Sequence, residues 1–140
     1  MNPILLAVLL ASAPADSARV EIVPLAPGVW AARRTEPLAL AGNGNSLIVE
    51  HDDGVTVFDA QFTREATLEH LAAIRRLTRK PVKWVINSHW HDDHFAGNQV
   101  YRDTFPDVQF VIHANTRADL EIQGRPNGVN TRTAAPPLAE

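Results

Sequence analysis

The order of apolar runs predicts an α/β fold: a mixed sheet with helices on one face. Three observations carry it. Residues 46–50 and 54–59 are β-rich and are joined by His51-Asp52-Asp53, a hairpin signal that ends at Gly54. Residues 63–79 follow with helical periodicity, and residues 82–87 return to a short apolar strand. A strand, a helix and a second strand in that order form a βαβ crossover, which makes the two strands parallel.

The elements before and after that crossover follow from local patterns. Val20, Ile22 and Val23 predict a first strand ending at Pro24, and Gly28-Val29-Trp30-Ala31 a second after a Pro-Gly turn. Residues 41–45, Ala-Gly-Asn-Gly-Asn, are a turn cluster. In the helix, Thr63 is the expected N-cap, Glu65 complements the dipole, and Leu68, Leu71, Ile74 and Leu77 are expected to form the buried stripe. Arg75, Arg76, Arg79 and Lys80 gather at its C-terminal end, where positive charge is favoured, and Pro81 stops it. Residues 96–105 suggest a short helix, 108–113 a buried strand and 115–122 a last helix.

Composition excludes several classes. The chain has 140 residues, the size of one domain, with 45% hydrophobic and 21% charged residues, so it is globular rather than disordered. A net charge of −3 leaves no basic footprint for nucleic acid or anionic lipid. Cysteine is absent, which excludes disulfides and thiolate metal sites. Residues 1–18 combine a short apolar run (4–10) with Ala13-Pro14-Ala15 and resemble a secretory signal peptide, although Met1-Asn2-Pro3 lacks the usual basic residue. Export to the periplasm or beyond is the corresponding expectation, with no membrane span after cleavage. The domain is then expected over residues 19–123, with 124–140 an irregular tail.

Residues 88–94, Ser-His-Trp-His-Asp-Asp-His, carry the functional signal. On an extended segment His89 and His91 project from one side and can share a cation, whereas Asp93 and His94 are expected to point in a second direction, toward a second metal. Imidazole and carboxylate suit zinc, iron or manganese. The motif lies just past the C-terminal end of a strand, where open α/β sheets place ligands.

In that context His89-Trp90-His91-Asp92-Asp93-His94 resembles the His-x-His-x-Asp-His motif of the metallo-β-lactamase fold hydrolases. Gly28-Val29-Trp30, Asn45 entering a strand and Val57-Phe58-Asp59 closing the next extend the likeness over roughly residues 20–122. The resemblance implies the N-terminal half of an αβ/βα sandwich with a dinuclear, usually zinc, site. It implies His89 and His91 as ligands of the first metal, and Asp93 and His94 as ligands of the second. Asp93 would also orient the nucleophile, which makes it the expected catalytic residue. Asp59 would support the loop from behind, a role that typically changes metal affinity or activity ~10–100-fold. Zinc lowers the pKa of bound water from about 15.7 to about 7, so hydroxide is available at neutral pH to attack an ester, a β-lactam amide or a related bond of a small-molecule substrate.

A complete site of this family also needs a third histidine for the first metal, a bridging acid and another histidine for the second. After His94 the only histidine is His113, which is expected to be a buried strand residue. The expectation is therefore a truncated half-fold. The alternatives are a non-catalytic metal-binding fragment and a half-fold completed by a partner chain, either of which could self-associate through an uncovered apolar face. Among the remaining candidates, His51 is expected in a solvated turn and His70 on the helix surface. Trp84 is expected in the core, Trp90 either in the core or at a pocket mouth, and Ser88 is not expected to act as a nucleophile.

Overall fold

The computed structural model describes residues 19–35 and 43–123, so the expectations for 1–18 and 124–140 lie outside the described residues. Six strands form one sheet in sequence order: β1 (Val20–Ala26), β2 (Val29–Arg34), β3 (Ser46–Glu50), β4 (Val55–Phe58), β5 (Val82–Asn87) and β6 (Gln109–Ile112). The first four pair antiparallel, and β4, β5 and β6 pair parallel. The mixed sheet and the central crossover are as expected. Strand β1 runs past Pro24 to Ala26, because an edge strand tolerates a residue without an N–H, and its register slips between Pro24 and Ala26.

Helix α1 (Arg64–Leu77) fills the crossover. The Thr63 hydroxyl accepts from the Ala66 amide at 3.1 Å and closes the first turn. The helix ends at Thr78, three residues short of Pro81. Trp30, Ile48, Val57, Val85 and Phe110 lie directly across the strands from one another. They share one core with Leu71, Ala73 and Ile74 of α1 and with Val100 and Tyr101 of α3 (Asn98–Thr104). Alternation puts Leu47, Phe58, Ile86 and Val111 on the other face, where they stay half-buried or exposed.

Two expectations for α1 are corrected. Leu68 is 45% exposed, and the buried face is instead Ala66, Thr67, His70, Leu71, Ala73 and Ile74. At about 100° per residue Leu68 lies roughly 160° around the helix from His70 and roughly 120° from Ile74, outside the arc that those two residues bury. His70, expected at the surface, is fully buried and hydrogen-bonded through Nδ1 to the Tyr101 hydroxyl at 2.7 Å. Its Nε2 has no hydrogen-bond partner among the described residues.

Burial, with the nearby Arg34 charge, pushes the His70 pKa from 6.5 down to about 3. The unfolded chain therefore binds a proton that the folded chain refuses in the window from about pH 6.5 to about 3. The stability held by neutral His70 is complete above that window and is lost as pH falls through it. Stability measured by urea unfolding should fall with pH inside that window, with a slope approaching one proton taken up on unfolding, roughly 1 kcal/mol per pH unit. A His70→Gln variant should flatten the slope by that amount; an unchanged slope would remove His70 as its source.

Candidate metal centre

β5 ends at Asn87, and the chain then bends through Ser88, His89 and Trp90 rather than continuing as a strand. His91 is extended and precedes a single helical turn, α2 (Asp92–Phe95). The expected extended segment is thus replaced by a bend and a helical turn, which swings His94 back toward the first histidine. The His89 and His94 rings are 4.0 Å apart, and the His89 and His91 rings 4.7 Å. All three imidazoles of the motif therefore meet at the C-terminal end of the parallel strands.

Asp59, directly after β4, organises the loop from beneath. Its Oδ1 accepts from the Ser88 amide at 2.8 Å. Its Oδ2 accepts from the Ser88 hydroxyl at 2.9 Å and faces His94 Nδ1 at 2.8 Å. A carboxylate only accepts, so His94 carries a proton on Nδ1. The Ser88 hydroxyl proton is committed to Asp59, so His89 Nδ1, 2.9 Å from the Ser88 oxygen, is also the protonated nitrogen. Both rings thereby leave Nε2 as the outward atom. Ser88, weighed in the sequence only as a nucleophile, is a relay; a hydroxyl residue between a strand end and the first motif histidine was the signal for it.

The outward atoms meet in pairs. His89 Nε2 lies 3.0 Å from His91 Nδ1, and His94 Nε2 lies 3.0 Å from Asp93 Oδ2. Two nitrogens at ~2.0–2.1 Å from one tetrahedral zinc sit roughly 3.3 Å apart, close to the first spacing. In the second pair a lone pair faces a carboxylate oxygen, a contact that a second proton on the ring or a shared cation satisfies. Among the described residues no three His, Asp or Glu side chains are gathered around a single point. The donor types gathered here, imidazole nitrogens and a carboxylate oxygen, fit zinc. Burial, and after it the neighbouring His94 and His91 rings, hold the His89 pKa below the usual imidazole value. His89 is therefore neutral near pH 7, as a ligand must be.

The surroundings clamp this geometry. Asn87 donates to the His94 carbonyl at 2.8 Å and exchanges amide hydrogen bonds with buried Asn98 at 2.7 and 3.2 Å. The Ala60 amide donates to the same His94 carbonyl at 2.7 Å. Gly44 presses against the motif from the preceding turn: a Cβ there would lie 3.1 Å from His94 Cε1 and 3.2 Å from the Asp93 carbonyl. Trp90 is half-buried; it packs on Phe95 and meets the His91 ring edge-on at 4.4 Å.

The remaining candidates stand apart. His51 is exposed, as expected, with Nε2 2.8 Å from the Thr56 hydroxyl and its ring edge-on to half-buried Trp84. His113, expected to be buried in a strand, is exposed. β6 ends one residue earlier, and His113 Nδ1 accepts from the Asn115 amide at 3.2 Å where α4 (Ala114–Gln123) begins. Alternation ceases to apply once the strand has ended.

The family model of the metallo-beta-lactamase superfamily matches residues 39–132. The chain belongs to that superfamily. Solved structures agree on the fold. A metallo-beta-lactamase from Pseudomonas aeruginosa in its mono-zinc form matches with a TM-score of 0.62 and 21% identity, over 75% of this chain and 46% of that one. A metallo-beta-lactamase from Pontibacter korlensis gives 0.63 and 24%, over 75% and 48%. One from Hirschia baltica gives 0.58 and 25%, over 75% and 48%. The chain spans about half the length of these superfamily structures, and its six-stranded sheet corresponds to half of their sandwich.

Proposed function

We propose that this chain supplies the first half of a metal-dependent hydrolase site, with His89 and His91 holding one zinc ion and Asp93 and His94 a second. The observation that carries the proposal is the pairing of outward donor atoms. Asp59 and Ser88 commit the Nδ1 protons of His89 and His94, which leaves His89 Nε2 against His91 and His94 Nε2 against Asp93, each at 3.0 Å. The mono-zinc form of the Pseudomonas aeruginosa enzyme supports zinc as the metal.

When bound, zinc supplies a water ionised near neutral pH and a Lewis acid for a carbonyl or phosphoryl oxygen. The residues of this chain do the rest. His89 and His94 present their Nε2 atoms, with the rings fixed in rotation by Ser88 and Asp59. Asp93 offers one carboxylate oxygen to the second position and, on the catalytic reading, aligns the attacking water. Trp90, half-buried beside His91, provides an apolar wall next to the substrate. Hydrolysis of an ester, a β-lactam amide or a related bond of a small molecule is the reaction proposed. Export to the periplasm fits the leader-like residues 1–18; among the described residues no helix is long and apolar enough to cross a membrane.

The test replaces donors from each pair. Asp93→Asn should abolish hydrolysis in the complete protein and weaken binding of one zinc equivalent, while His89→Ala weakens the other. If both variants lost the same single equivalent, the two-position assignment would be wrong.

A further inference from the structure

We propose that Ser46 and Gln61 form a buried clamp that positions the Asp59 carboxylate on the motif loop. Their side-chain hydrogen bonds go to each other and to the Asp59 backbone, not to the imidazoles. Gln61 has no exposed surface and Ser46 is 6% exposed. Gln61 Nε2 donates to the Ser46 hydroxyl at 2.7 Å, and that hydroxyl donates to the Asp59 carbonyl at 2.8 Å. The hydroxyl uses its one proton and accepts one bond, so the chain of donors is internally consistent.

The segment that this clamp grips is strained. Asp59 and Gln61 have φ of 67° and 77°, the left-handed region that side chains rarely adopt. Strain persists only where surrounding contacts over-determine the backbone. Here the Ala60 amide donates to the His94 carbonyl at 2.7 Å, and the Gln61 carbonyl accepts from the Gly97 amide at 2.8 Å. The turn is thus held by the motif helices on one side and by Ser46 of β3 on the other. With its carbonyl pinned and its φ left-handed, Asp59 aims its carboxylate at Ser88 and His94.

Gln61 is a poor choice as mere filler: among the described residues its buried Oε1 has no hydrogen-bond partner. An apolar side chain of similar length would avoid that desolvation cost. A residue kept for volume alone has no reason to be glutamine, whereas a residue kept to orient Ser46 needs its amide donor.

The part of this inference that concerns metal affinity rests on the proposed function; the part that concerns imidazole orientation does not. The experiment therefore begins with the metal-free chain. Nitrogen-15 NMR of the His94 ring is recorded for the wild type, Gln61→Met, Ser46→Ala and the conservative Ser46→Thr, alongside urea unfolding and zinc calorimetry. The wild type and Ser46→Thr should show one His94 Nδ1 signal, with the shift of an N–H hydrogen-bonded to a carboxylate. Gln61→Met should keep or raise stability yet broaden or split that signal, and zinc affinity should fall about 10-fold. Ser46→Ala should do the same to the signal. One unchanged Nδ1 signal in both Gln61→Met and Ser46→Ala would overturn the clamp, whatever happens to stability. Absence of zinc binding in the wild type would instead defeat the proposed function, and the Nδ1 readout would still decide the clamp.

Discussion

Asp59→Ala is expected to lower zinc affinity ~10–100-fold, the range typical for a lost partner of a ligating histidine. The variant removes the acceptor for three donors at once: the Ser88 amide, the Ser88 hydroxyl and His94 Nδ1. His94 then loses the bond that fixes its protonated nitrogen, and His89 loses it indirectly as Ser88 turns. Folding stability should fall as well, by about 2–3 kcal/mol, because Asp59 is nearly buried and its donors would be left partly unsatisfied. Asp59→Gly separates the two effects. Glycine accepts the left-handed φ of 67° without strain, so it should recover part of the stability and none of the affinity. Calorimetric titration with zinc and urea unfolding on the same samples measure both quantities. Equal affinity in Asp59→Gly and the wild type would show that the carboxylate does not orient the loop.

Gly97→Ala should damage the fold more than any other single methyl addition near the site. Gly97 joins α2 to α3, and a Cβ there would run into the Ala60 carbonyl and the Thr67 hydroxyl, well inside the distances real Cβ atoms keep. Neither obstacle can yield easily. The Thr67 hydroxyl donates its one proton to the Thr63 carbonyl at 2.7 Å, with the Ala60 carbonyl also within reach at 3.1 Å, and Ala60 is the centre of the strained turn. The Gly97 amide bond to Gln61 would have to open to make room. Overpacking typically costs ~1–3 kcal/mol, and a backbone obstacle puts this case at the upper end. Chemical denaturation should report that loss together with a fall in zinc affinity, since α2 carries Asp93 and His94. Wild-type stability in Gly97→Ala would mean that the approach of α3 to the β4–α1 turn is looser than described.

The sheet and the site were legible in the sequence to different depths. The crossover was plain because β4, α1 and β5 each carry a period of their own, with a cap at Thr63 and a stop after Thr78. The motif was plain because three histidines and two acids within seven positions have few other uses. The curvature of the motif was not, since nothing in Trp90-His91-Asp92 distinguishes a bend and helical turn from extended chain. His70 was misplaced because the helical stripe was drawn through Leu68, which is exposed, and that turned its centre away from His70. Its spacing of four from Ile74 and three from Thr67 already put it on the buried face. The turn at Asp59 and Gln61 was not legible: aspartate tolerates left-handed backbone but does not demand it as glycine does, and glutamine gives no signal for it at all. What holds that turn is tertiary: one serine from a neighbouring strand and one glycine between two helices.

Zinc titration of the chain followed by native mass spectrometry, with His89→Ala and Asp93→Asn measured beside the wild type, tests the central claim most directly. The account predicts that the wild type takes up zinc in discrete steps to two ions, and that each variant weakens a different step. Wild-type spectra that show only the bare 15.4 kDa chain, or one whose zinc uptake is the same in both variants, would contradict it.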